Sequence, residues 1–230
     1  MSFDHDARSC SLRMDGALDY FFPTKALSFR WHLVRTNAML MGSFPLFCLK
    51  ENWNSAEIWD KPGGVDIFLA PTSTQHEMAQ NKHILHQFLM ICGYTLQKQS
   101  DEPRLNGYQT AFLGRVLFSV MTYLKSEGDK VLKIQLVANP RIPYGPNWHL
   151  QTMAGFDLTC CSIAFDGKTF HTTNDNTDPT SQKVFVRAHH KMTTERQAKY
   201  NQRGFKYDAP FAPTLFTTHW RFVYMYAHIY

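Results

Sequence analysis

No stretch of this sequence approaches the roughly 20 consecutive apolar residues that a membrane-crossing helix requires. Met1–Arg13 mixes Asp, His and Arg and has no apolar segment of the kind found in a secretory leader. No Asn-x-Ser/Thr acceptor for an N-linked glycan occurs. Cysteine is scarce: Cys10, Cys48, Cys92, Cys160 and Cys161 are an odd set whose spacings fit neither a disulfide framework nor a zinc site. Cys160 and Cys161 are adjacent, and on a strand they would point to opposite faces, which makes them poor partners for one metal. Internal repeats and low-complexity tracts are also missing. These absences argue against a membrane span, a disulfide scaffold and a solenoid. They predict an intracellular protein, cytoplasmic or nuclear, with reduced thiols in its core and no membrane partner.

What is present points to a globular chain. It has 230 residues, 44% hydrophobic and 19% charged, enough to bury a substantial core. No break is long enough to be a domain linker. Residues 1–230 are therefore expected to form one domain, with 180–230 as a basic, aromatic C-terminal extension. The net charge of +5 permits a nucleotide or nucleic-acid partner without requiring one.

Hydrophobic periodicity and turn chemistry order the chain. Arg35–Met41 reads as a strand entering Gly42-Ser43, with Ser43 as N-cap of a short helix through Cys48. Val65–Ala70 reads as a buried strand. The spacing predicts a helix over 75–92, opened by a Thr74/Glu77 capping box and closed by Gly93. Its apolar face is assigned to Ile84, Leu85, Phe88 and Ile91. Val116–Leu124 and Val131–Ala138 read as a hairpin around Ser126–Asp129. Phe156–Phe165 and Lys168–Thr172 read as a second hairpin turning at Asp166-Gly167. Thr193–Gln202 reads as a helix stopped by Gly204. Strand–helix alternation followed by hairpins predicts an α/β (α+β) fold, a mixed sheet flanked by helices.

Four features could carry chemistry. Gly42-Ser43 sits at a strand-to-helix turn, where free N–H groups favour phosphate. Asp66 interrupts the apolar run Val65–Leu69, a costly position unless the carboxylate is paired, hydrogen-bonded or metal-bound. Asp157 opens the apolar segment Phe156–Phe165. Two strand-borne carboxylates, if neighbours in one sheet, could hold a hard cation such as Mg²⁺. Arg187, Lys191, Arg196, Lys199 and Arg203 form a basic stretch. Within it Arg196, Lys199 and Arg203 recur at intervals of three and four and share a helix face. Such a stripe fits a triphosphate or an RNA backbone, and equally a solvated helix face. The aromatic tail Phe211–Tyr230 reads as a cover for the core or as an oligomer or assembly interface.

Read in order, "GSFPLFCL", "VDIFL", "KIQLV", "GFDLTCCSIAFDG" and "KYNQRGF" resemble the nucleotidyltransferase superfamily of polymerase β-like and poly(A)-polymerase-like enzymes. The wording is similar to a divergent branch associated with large DNA viruses and some fungi. The resemblance spans roughly 35–205. It implies a nucleotidyltransferase-like mixed sheet and transfer of NMP from an NTP to an RNA, protein or small-molecule acceptor. It further implies triphosphate binding at Gly42 and Ser43, Mg²⁺ (or Mn²⁺) and catalysis at Asp66 and Asp157, and NTP or RNA contacts from the basic stretch. The chain departs from the family pattern at Gly64, where an Asp-x-Asp pair ending in Asp66 needs its first carboxylate. Asp60 or Glu57 would have to stand in. The alternative is a catalytically inactive nucleotidyltransferase fold that serves as a binding or structural assembly component.

Overall fold

The computed structural model describes residues 4–49, 64–100, 119–138, 142–173, 183–184 and 194–207. Helices α1 (Asp4–Phe21) and α2 (Ala26–Thr36) lead into β1 (Met39–Met41) and α3 (Ser43–Leu49). Next come β2 (Val65–Leu69), α4 (Gln75–Ile91), β3 (Thr95–Ser100), β4 (Ser119–Glu127) and β5 (Lys130–Ala138). Then follow α5 (Trp148–Ala154), a single 3₁₀ turn at Thr159–Cys161, and the hairpin β6 (Ile163–Phe165) and β7 (Phe170–Thr172). The last elements are β8 (Lys183–Val184), α6 (Thr194–Gln202) and β9 (Lys206–Tyr207).

One seven-stranded sheet has the order β3-β4-β5-β2-β1-β6-β7. Its β2–β5 pair is parallel and its other pairs are antiparallel. The mixed α/β architecture read from the strand and helix patterns is the one the chain adopts. Alternation along the strands builds two layers. Leu40, Val65, Ile67, Leu69, Ile134, Leu136 and Phe165 face α1, α2 and α4, where they meet Leu18, Phe29, Leu33, Leu85 and Phe88. Met39, Met41, Phe68, Val137 and Ala164 face the other way and pack on Trp148 and Met153 of α5. Each alternate set removes its apolar area from water at about 25 cal/mol per Å².

Local chemistry explains the helix ends. The Thr74 hydroxyl accepts from Glu77 N–H at 3.1 Å, half of the expected capping box. The Glu77 carboxylate accepts instead from Ser73 Oγ. Helices α2, α4 and α6 each close through a left-handed residue, Asn37, Gly93 and Gly204. The next residue then donates back to the turn: Ala38 to Leu33, Tyr94 to Leu89 and Phe205 to Tyr200. This is the Schellman arrangement, which satisfies carbonyls a helix end leaves open.

Five sequence expectations need correction. Arg35 and Thr36 belong to α2 rather than to a strand, because Phe29, Leu33 and Thr36 are buried at helical spacing and β1 is only the short segment held between β2 and β6. Ser43 is the first residue of α3 rather than its flanking cap. Ile91 is 69% exposed, and Leu89 takes its place in the core beside Leu85 and Phe88. The apolar stripe of α4 is wider than the face α2 and the sheet cover, so Ile84 and Ile91 border an open groove against Lys25, Ser28 and His32. In the second hairpin the strands end at Phe165 and Phe170. The Asp166-Gly167 pair therefore opens a longer loop, in which the Asp166 carboxylate accepts from Lys168 and Thr169 N–H. Phe156–Phe165 is not one strand. Asp157 accepts from Leu158 N–H at 3.0 Å, and the 3₁₀ turn that follows buries Cys160 and Cys161 together, sulfurs 3.9 Å apart.

Candidate functional site

Asp66 is the second residue of β2. Its neighbours Val65 and Ile67 point into the helical layer, so alternation turns Asp66 to the opposite face, where it is half-buried. Parallel pairing sets it beside Gln135 of β5, and Gln135 stands beside Thr122 of β4. The carboxylate thus belongs to a polar row, Thr122–Gln135–Asp66, on the side of the sheet that α1, α2 and α4 leave uncovered. This location explains how an apolar strand tolerates a charge.

Gly42 leaves β1 with its N–H bonded to Ile163 O of β6 at 3.1 Å. The β1–β2 register pairs Leu40 with Ile67, so the end of β1 lies alongside the start of β2. Ser43, half-buried, begins α3, whose Leu46 packs with Leu158, Cys161, Ile163, Tyr200 and Phe205. The Gly-Ser turn, Asp66, the 3₁₀ turn and α6 therefore meet at one end of the sheet.

Asp157 is held at that end by Arg196. The guanidinium Nη2 donates to Oδ1 at 2.9 Å, and Nε engages Oδ2. Arg196 and Arg203 lie 5.5 and 5.2 Å from the Tyr200 ring centre, distances that favour cation–π attraction. Burial opposes the charge on Arg196, but Cys161, Tyr200 and Asp157 outweigh it and hold the group protonated above its ordinary range. Burial lowers the Lys199 ammonium from its ordinary value, and Arg203 and Arg196 lower it further, while Cys161 and Asp66 act to raise it. Lys199 is thereby within electrostatic reach of Asp66. The Tyr200 hydroxyl lies 2.9 Å from Cys161 Sγ. Burial pushes both the Cys160 thiol and the Tyr200 phenol well up.

The structure thus brings together Gly42, Ser43, Asp66, Asp157, Arg196, Lys199 and Arg203. Arg187, Lys191, Glu57, Asp60 and the tail Phe211–Tyr230 lie outside the described residues. Among the described residues, no three His, Cys, Asp or Glu side chains converge on a point suited to a metal. The neighbour of Asp66 on β5 is an amide, and both Asp157 oxygens are engaged by a guanidinium. A Cβ added at Gly64 would lie 3.3 Å from Lys133 O, so a carboxylate there would crowd a carbonyl oxygen of the neighbouring strand. Among the described residues, the carboxylates do not fit a pair of cations about 3.5–4 Å apart.

Residue patterns missed two features of this site. The Cys161–Tyr200 contact joins positions 39 apart, and nothing local signals it. The Asp157–Arg196 pair joins two residues that had each been assigned separate roles; opposite charges at buried segment ends were the only signal. No protein-family model matches this chain, and no curated protein matches it significantly.

Proposed function

We propose that this protein is a nucleotidyltransferase-like nucleotide binder that takes an NTP with one Mg²⁺ or Mn²⁺ and does not run two-metal nucleotidyl transfer. The observation that carries this reading is the pairing of charges at one end of the sheet. Among the described residues, the carboxylate of Asp66 lies within electrostatic reach of Lys199, while the second carboxylate, Asp157, is neutralised by Arg196. Lys199 and Arg203 would meet phosphate oxygens, and Asp66 would carry the cation that accompanies them. The net charge of +5 favours an anionic ligand. A bound cation here supplies charge neutralisation of the phosphates.

Calorimetric titration with ATP and GTP, with and without Mg²⁺, tests the proposal. Micromolar, metal-assisted binding is expected. Asp66→Ala should abolish the metal dependence, and Lys199→Ala should weaken binding at least tenfold with or without metal. Absence of NTP binding would overturn the reading. Incorporation of labelled NMP into an RNA, protein or small-molecule acceptor, lost in Asp66→Ala, would replace it with the transferase reading and point to Asp60 or Glu57 as the missing carboxylate.

A further inference from the structure

A second cluster lies on the strand edge of the sheet formed by β7. Ala164 of β6 pairs with His171 of β7, and Ala164 faces α5. Alternation therefore directs His171 toward the same face, where it meets His149 in the first turn of α5. The two rings have centroids 5.0 Å apart and an interplanar angle of 61°.

Hydrogen bonding sets the state of His171. Its Nε2 lies 2.9 Å from Asp166 Oδ2 and 3.2 Å from Thr169 Oγ1. Thr169 Oγ1 itself donates to the same carboxylate oxygen at 3.0 Å. A carboxylate can only accept, so Nε2 carries the proton, and in the neutral tautomer Nδ1 is the nitrogen with the lone pair. Backbone N–H bonds from Lys168 and Thr169 fix the Asp166 carboxylate in place beside His171. The His149 Nδ1 is buried and has no hydrogen-bond partner among the described residues.

We propose that His149 and His171 form a two-histidine site for a divalent transition-metal ion, Zn²⁺ or Cu²⁺, completed by water, with Asp166 as a positioning residue. Imidazole binds such ions at about 2.0–2.1 Å, which puts each ring centre roughly 3 Å from the ion and two rings on one ion about 5 Å apart. The observed 5.0 Å falls at that value, inside the span that edge-to-face ring packing also occupies. A carboxylate on the far nitrogen of a ligating histidine fixes its tautomer and raises its basicity, and losing such a partner typically costs 10–100-fold in affinity. With two protein ligands the site is open and exchangeable, unlike a closed structural zinc centre. The proposal is independent of the nucleotide reading, because it uses none of the residues gathered around Asp66, and His171 lies three strands from β2, about 14 Å at ordinary strand spacing.

Titration of the full chain with Zn²⁺ by calorimetry and with Cu²⁺ by electron paramagnetic resonance tests it. One ion per chain with micromolar affinity is expected, with a Cu²⁺ spectrum showing two nitrogen ligands. His149→Gln and His171→Gln should each weaken binding at least tenfold, and Asp166→Asn should weaken it 10–100-fold while keeping the acceptor its loop requires. His83→Gln on α4 should change nothing. Substoichiometric Cu²⁺ should selectively broaden the His149 and His171 ring resonances in the unsubstituted protein, a readout that does not depend on any variant folding. No binding up to millimolar metal, binding unchanged in both histidine variants, or broadening confined to other histidines would overturn the proposal.

Discussion

A charge in a buried strand is tolerated or ruinous according to which side of the strand it occupies. Asp66 sits one residue from Val65 and Ile67, which are almost wholly buried, yet its own side chain joins Gln135 and Thr122 in a polar row. Tyrosines show the opposite case. Tyr123 is fully buried, and burial pushes its phenol up to about 12; Tyr94 is raised as well, first by burial and then by Glu127. The fold therefore holds the protonated phenols. The stability they contribute is complete below the ordinary tyrosine value of about 10 and is lost as pH rises from there toward about 12. Tyrosinate absorbance and circular dichroism followed together from pH 9 to 13 should show Tyr94 and Tyr123 ionising only with loss of structure. Titration of both near 10 with the fold intact would contradict this.

Elements differ in how much of their geometry lies within themselves. Helices α4 and α6 were legible because their punctuation is local: Thr74 with Glu77 at one start, Gly93 and Gly204 at the ends. The short strand β1 and the 3₁₀ turn were not, since their limits are set by partners far away in sequence, β2 and β6 for one and α3 and α6 for the other. The Asp166-Gly167 turn shows the same division. Its dipeptide announced a hairpin, but Gly167 is also pressed against α2, where an added Cβ would sit 2.6 Å from Arg30 O. A Cβ at Gly204 would meet nothing within 4 Å. Gly204→Ala should thus cost only the left-handed backbone penalty, about 1–2 kcal/mol. Gly167→Ala should cost about 1–3 kcal/mol more, through displacement of α2. Urea unfolding of the two variants checks the order, and equal losses would refute the contact.

At the scale of the whole molecule the sheet is the shared wall of two layers. Leu136 lies against α1, α2 and α4, whereas its strand neighbour Val137 faces α5. The β2–β5 pairing joins 65–69 to 134–138 in parallel, a long-range contact on whose two faces both layers pack. Leu136→Ala should cost about 2–5 kcal/mol and lower the protection of both layers at once. Amide hydrogen exchange should show β5, α4 and α5 losing protection together. Loss confined to α4 would mean that the layers unfold independently.

Residue order alone determined the mixed α/β class, the bounds of α4 and α6 and the hairpin β4–β5. These follow from periodicity, caps and turn residues, each spanning only a few positions. Tertiary structure alone decided what the site residues do to one another. It paired Asp157 with Arg196, set an amide rather than a carboxylate beside Asp66, and brought His149 to His171. Each of these is a meeting of side chains distant in the chain, fixed by strand register and by which face alternation presents, and register is written in the packing of the whole sheet rather than in any one segment.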